Sequence, residues 1–154
     1  KPVYFYSSWL SCKATDFDVE TMMKGYDAIK AKVEEIQNKG FNATTKELGL
    51  LECLKVCLEA SARGIKFAKI DLYKSDWKVW QVADEHTIIP SFLSVDGLGE
   101  TAAKNIVNER NKGKFVSIED FQSRAKVSGT IVDKLKTIDV LENMPESSQL
   151  SLFD

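Results

Sequence analysis

Apolar residues recur at three- and four-residue intervals along much of the chain, a period that predicts a mainly α fold. Val19, Met22, Met23, Tyr26, Ile29, Val33 and Ile36 keep this spacing, Gly25 is a place for a bend, and Gly40 ends the run. Thr15 or Asp16 stands where the helix needs a cap. A second helix opens at Thr44, with Glu47 at capping-box spacing, and continues through Leu50, Leu51, Leu54, Cys57, Leu58 and Ala62 to a stop at Gly64. The period then changes. Ile65, Phe67, Ile70 and Leu72 read as extended chain, and KVWQV (78–82) and TIIPS (87–91), joined by residues 83–86, read as a small β-hairpin.

Beyond residue 90 two similar helix-turn-helix units follow. In SVDGLGETAAKNIVNER (94–110), Gly97, Leu98 and Gly99 precede Ala102, Ala103 and Ile106 on one helical face, the pattern of a helix-hairpin-helix motif. Glycine permits positive φ and close approach to the backbone, and Leu98 plugs the turn into the core. The N–H groups of the turn and of the helix start, Thr101 included, can face an anion such as a DNA phosphate. Lys104, Arg110, Lys112 and Lys114 add positive charge. In the second unit Ser117 and Asp120 have cap-like spacing before a short helix through Phe121. Lys126, Val127, Ser128 and Gly129 stand where its hairpin belongs, before a last helix with Ile131, Val132, Leu135 and Ile138. Its phosphate partners would be Lys126, Ser128, Thr130 and Lys134. Asp96 and Glu100 flank the first turn and should weaken an anion site there.

Composition changes this picture little. The 154 residues suffice for one domain or two small ones, and a net charge of -2 does not by itself announce a nucleic-acid binder. Residues 1–90 carry 13 basic and 13 acidic side chains, residues 91–140 carry 8 and 7, and residues 141–154 carry none and 3. Every apolar run is broken well short of the roughly 20 residues a bilayer needs. The chain opens on Lys1 and Pro2, as a fragment of a longer protein would. Cys12, Cys53 and Cys57, with no secretory signal, fit a reducing cytoplasm. A metal site at Cys53 and Cys57 would need further ligands, and His86 is the sole histidine, so two small buried side chains on one helix face is the better reading.

Two other stretches invite chemistry. Asp16-Phe17-Asp18 pairs two carboxylates, as two-metal phosphoryl-transfer sites do, but an acid at a helix start has a ready role accepting free N–H groups. The capping role is the favoured one. At the other end Gln149, Leu150, Ser151, Leu152 and Phe153 follow a polar tether and offer three apolar anchors to a partner's groove.

That tail resembles the pentapeptide by which bacterial replication proteins dock on the sliding clamp, and all five positions match. SCKATDFDVETM (11–22), IDLYKSD (70–76), IIPSFLSVDGLGETAAKNIV (88–107), KFVSIEDFQSRAKVS (114–128) and the ending QLSLFD together resemble the C-terminal end of the PolC-type DNA polymerase III of Gram-positive bacteria. The resemblance implies three parts: residues 1–90, the outer part of the fingers; residues 91–142, a tandem helix-hairpin-helix domain on primer-template duplex; and residues 143–154, a flexible tail that binds the clamp β subunit through 149–153. It implies a cytoplasmic nucleotidyltransferase whose Mg²⁺ and catalytic carboxylates lie in a palm upstream, so that this stretch alone is inactive and has no catalytic residue, metal or cofactor of its own. One departure stands out: where relatives commonly show proline before Gly-Leu-Gly, this chain has Asp96. Two other readings stay open, a stand-alone helix-hairpin-helix repair or recombination protein that uses the clamp, and a purely structural interaction module.

Overall fold

A computed structural model describes residues 1–13 and 16–147. Seven α-helices, two short 3-10 turns and one small sheet account for its regular structure among these residues. Helix α1 (Pro2–Cys12) buries Val3, Tyr6, Ser7 and Leu10, a three-four stripe. It is sewn to the later chain by two serines: the Ser7 hydroxyl donates to Trp80 O, and the Trp80 N–H donates to Ser11 Oγ at 2.8 Å.

The long amphipathic run is two helices, α2 (Val19–Lys24) and α3 (Tyr26–Lys39). Gly25, at φ 97° and ψ −170°, ends one and begins the next. A bend that large breaks the backbone ladder, so the apolar stripe survives while the helix does not. The cap of α2 is Asp18 rather than Thr15 or Asp16: its carboxylate accepts from the Thr21 N–H at 3.2 Å and the Thr21 hydroxyl at 2.7 Å. Helix α4 (Thr45–Ala62) starts with the expected capping box. Glu47 N–H donates to Thr44 Oγ1 and Thr44 N–H to Glu47 Oε1, both at 3.1 Å.

The sheet has three strands, β1 (Lys66–Phe67), β2 (Gln81–Asp84) and β3 (Thr87–Ile89), in the order β1-β3-β2. β2 and β3 form the expected antiparallel hairpin with Val82 opposite Ile88, and its turn is only Glu85 and His86. β1 adds parallel to β3, placing Phe67 opposite Ile88. Beyond it follow α5 (Glu100–Lys112), α6 (Ile118–Ala125) and α7 (Gly129–Thr137).

Buried apolar side chains form two clusters. One joins α1, α3, α4 and the sheet around Tyr6, Leu54, Trp80 and Ile88. The other joins α5, α6 and α7 around Phe92, Ile106, Phe121 and Leu135, and takes Val19, Ile70 and Leu72 from the earlier chain. Phe17 packs against both clusters, its ring 5.0 Å from that of Trp80. Met144, at the start of the expected tail, packs against this second cluster. Ile118 N–H donates to Pro145 O at 2.8 Å and Glu119 N–H to Glu146 O at 3.0 Å, so these carbonyls satisfy free donors at the start of α6. The clamp-motif residues Gln149, Leu150, Ser151, Leu152 and Phe153 lie outside the described residues.

Candidate nucleic-acid interface

The first hairpin is entered from a single 3-10 turn (Phe92–Ser94) where its sequence suggested a helix. Pro90 ends β3, Val95 is already extended at φ −78° and ψ 121°, and the turn is tied back to the earlier chain by Phe92 N–H to Asp76 O at 3.0 Å and Leu93 N–H to Trp77 O at 3.1 Å. Three consecutive residues then set the turn. Gly97 takes φ 85°, Leu98 is buried in the second cluster (4% exposed), and Gly99 is the extended N-cap of α5 at φ −80° and ψ 172°.

The second hairpin repeats this geometry residue by residue. Lys126 takes φ 57° and ψ 46°, Val127 is buried (8% exposed), and Ser128 is the extended N-cap of α7 at φ −74° and ψ 162°. The second turn thus has the same succession of positive φ, buried plug and extended N-cap without a Gly-x-Gly sequence. The cap chemistry differs. Ser128 Oγ accepts from the Ile131 N–H at 3.3 Å, whereas no side chain caps α5. The first helical bond of α5 runs from Ala103 N–H to Gly99 O at 2.9 Å, so the amides before it have no acceptor within the helix. A Cβ built on Gly99 would meet nothing within 4 Å, so the space beside Gly99 is open.

The two units meet. A Cβ on Gly97 would lie 3.3 Å from Lys134 Nζ and 3.4 Å from Ile131 Cδ1, so α7 packs on the first hairpin. Lys134 donates to Asp96 O at 2.9 Å and lies 3.6 Å from the Asp96 carboxylate. Lys46, from α4, pairs with the same carboxylate at 3.1 Å. Its hydrogen bond is the main reason that Asp96 is held below its ordinary carboxylate pKa. Glu100 is lowered likewise by Lys104, 2.8 Å away, and Lys104 also sits 4.7 Å above the Trp77 ring. Thr101, Lys126, Ser128 and Thr130 are exposed. A cleft of about 700 Å³ opens beside the first hairpin, walled by Cys12, Lys13, Phe17, Trp77 and Lys78.

Two arginines take structural duties. Arg110 was expected to add to the phosphate-facing charge, but its Nη1 donates to the carbonyls of Leu72 and Ser75, and burial lowers its pKa. Arg124, which sequence reasoning passed over, binds Glu109, Asp120, Lys114 O and Gly113 O and lies 4.5 Å above the Phe115 ring. Its one legible signal was Asp120, four residues earlier on the same helix. Lys112 is tied to Glu109 at 2.7 Å.

The Asp16-Phe17-Asp18 stretch does not fit a metal: both Asp18 oxygens are engaged by Thr21. Among the described residues no three His, Cys, Asp or Glu side chains are grouped to hold an ion. Cys53 and Cys57 are fully buried neighbours, with the Cys57 thiol pushed well up by its bond to Cys53 and by burial. No helix among the described residues is long and apolar enough to cross a membrane.

Two like turns, each closed by a buried apolar residue and opening a helix, define a helix-hairpin-helix protein. The chain belongs to that family, whose helix-hairpin-helix motif model matches residues 64–150. Over nearly its whole length it is also similar to proteins named DNA polymerase III PolC-type, which bears out the resemblance drawn from its motifs. The relative from Lactococcus lactis subsp. lactis is 46% identical over 153 residues, covering 99% of this chain and 9% of that protein. That from Caldanaerobacter subterraneus is 45% identical over 152 residues (99% and 11%), and that from Bacillus subtilis 45% identical over 149 residues (97% and 10%). The chain thus spans about a tenth of the length of these relatives.

Proposed function

We propose that this chain is a DNA-holding part of a replicative DNA polymerase, gripping duplex backbone through its hairpins and tethered to the sliding clamp by residues 149–153. The observation that carries the DNA reading is the start of α5, with no side-chain cap and open space in front of Gly99. Backbone amides at such a helix start bind phosphate, and the helix dipole adds to them. Gly97, Gly99 and Thr101 supply the backbone and Leu98 holds the turn, while Lys104, Lys126, Ser128, Thr130 and Lys134 flank the path of the strand. Contacts of this type position the protein on a duplex and carry no sequence information.

The relatives' shared name supplies the enzymatic context: a DNA-directed DNA polymerase, whose Mg²⁺-dependent nucleotidyl transfer belongs to the parts of those proteins that this chain does not match. This chain's own residues bind and orient. For the tail, Leu150, Leu152 and Phe153 would enter a groove on the clamp while Gln149 and Ser151 hydrogen-bond at its rim. Joining two modest contacts on one chain raises the effective concentration of each, so the primer end is held longer than either contact would hold it alone.

The purely structural reading has one observation in its favour, since Asp96 and Glu100 already neutralise lysines at the hairpin. Anisotropy titration of a labelled random duplex separates the two. Replacing Lys104, Lys126 and Lys134 together by alanine should weaken binding and flatten the plot of log affinity against log salt by about 0.9 for each phosphate no longer neutralised. Affinity and slope equal to those of the unaltered chain would leave the hairpins as packing modules.

A further inference from the structure

Lys46 occupies an unfavourable place for a cation. It is the second residue of α4, in the first turn, where the helix dipole favours anions. Its neighbour Glu47 is committed to the capping box and to Lys39, so the anion that Lys46 finds is Asp96, fifty residues away at the first hairpin. Lys134 reaches the same Asp96 oxygen from α7. One carboxylate oxygen therefore gathers two ammonium groups from two elements beside Gly97, while Asp18 and Glu20 line the same pocket as Asp96 and Lys134. The three side chains stay open to solvent, at 61% for Lys46, 57% for Asp96 and 40% for Lys134, so a ligand can reach them. An anionic oxygen between two ammoniums at the mouth of a phosphate-binding turn stands where a phosphate oxygen could stand.

Resting on the DNA-binding reading above, we infer that Lys46 is a further contact for the duplex backbone, and that Asp96 is a resident anion which holds Lys46 and Lys134 at the hairpin until a phosphate takes its place. The interface then extends from the hairpins onto α4. A strand lying on the Gly97–Gly99 amides meets lysines from both sides of the turn, and binding exchanges the internal ion pairs for pairs with DNA. No covalent step is involved.

The test is anisotropy titration of a labelled random duplex between 50 and 200 mM salt with the chain and four single variants. Lys46→Ala should weaken binding and flatten the salt plot by about 0.9, one phosphate contact. Lys46→Arg should restore both. Lys55→Ala removes the same charge from an exposed position further along α4 and should bind as the unaltered chain does. Asp96→Asn, which frees both lysines, should bind more tightly with a steeper plot. Equal effects of Lys46→Ala and Lys55→Ala, or no effect of either, would overturn the assignment of Lys46. Weaker binding by Asp96→Asn would overturn the role given to Asp96. Thermal melts of each variant separate impaired binding from impaired folding, and Lys46→Gln, which keeps a long side chain without its charge, carries the test with the same expected losses if Lys46→Ala melts early. Should the unaltered chain fail to bind duplex at all, the hairpin reading falls and this inference with it. Should only Lys46→Ala fail to differ, the hairpin reading stands.

Discussion

Replacing Gly97 and Gly99 separately by alanine should divide stability from binding, because the two glycines are glycine for different reasons. Gly97 sits at φ 85°, where an L side chain costs roughly 1–2 kcal/mol. The new methyl would lie 3.3 Å from Lys134 Nζ, which can swing aside, and 3.4 Å from Ile131 Cδ1, an ordinary contact. Strain is therefore the main effect, and for a chain of this size it lowers Tm by about 2–8 °C. Gly99 has φ −80° and nothing within 4 Å of its missing Cβ. Alanine there is a poorer N-cap, but it also restricts the unfolded chain, and each effect is about 0.5–1 kcal/mol with opposite sign. Its Tm should stay within a degree or two. Duplex binding should respond in the reverse order of severity. A methyl at Gly99 stands in the approach to the α5 amides, and losing one or two charge-assisted hydrogen bonds, about 1.5–3 kcal/mol each, weakens affinity by at least tenfold. Thermal melts and anisotropy on the same samples give both numbers. A Gly99→Ala chain that melts normally and binds duplex normally would refute the claim that phosphate approaches these amides.

Other outcomes follow from the same geometry. Arg110→Ala should lose about 2 kcal/mol of stability, since the Leu72 and Ser75 carbonyls lose a charged donor, while the salt slope of duplex binding stays fixed; denaturation and titration report each part. Arg124→Ala should cost about 2–3 kcal/mol and loosen the Gly113–Lys114 turn, read as faster amide hydrogen exchange around Phe115. Lys126→Gly should raise Tm by relieving positive φ yet lower duplex affinity, so the two observables move in opposite directions. Leu152→Ala with Phe153→Ala should abolish heat of binding to a purified sliding clamp in calorimetry and leave duplex affinity unchanged, and undiminished clamp binding would sink the tether.

The parts of the fold written in local chemistry were legible in advance. Thr44 and Glu47 announced the start of α4 and Ser117 and Asp120 that of α6, and the hairpin was foreseen, although its first strand runs over Gln81–Asp84 rather than 78–82. Helix α1 was harder, because Tyr4, Phe5 and Trp9 fill the faces between Val3, Tyr6 and Leu10 and hide the stripe that becomes buried. Its stabilising partners, the Trp80 N–H and O, lie some seventy residues on. The cap of α2 moved from Asp16 to Asp18 because Phe17 is drawn between the two cores, which fixes where the chain can first turn. The charges were the least readable. Whether a lysine or arginine faces solvent, a carbonyl or a distant acid depends on tertiary placement, and Arg110, Arg124 and Lys46 each found partners that spacing does not reveal.

The two hairpins reach a similar turn with different residues. Both turns need a positive φ, a buried plug and an extended cap, and Lys126, Val127 and Ser128 meet these needs as Gly97, Leu98 and Gly99 do. Strain of about 1–2 kcal/mol at a left-handed lysine is tolerable in a turn that neighbours hold in place, so glycine is not required there for folding. Lys126 keeps a side chain that can meet phosphate by charge, while Gly97 leaves room for the Lys134 ammonium and Gly99 leaves the α5 amides uncovered. Ser128 instead turns its hydroxyl on the Ile131 amide and takes up a donor that the first hairpin keeps free. If the hairpins bind duplex as proposed, the first turn offers backbone amides with lysines beside them, and the second offers side chains alone. A salt series should show the second contributing mostly slope, and the first a share of affinity that persists as salt rises, since backbone hydrogen bonds survive screening better than exposed charge pairs.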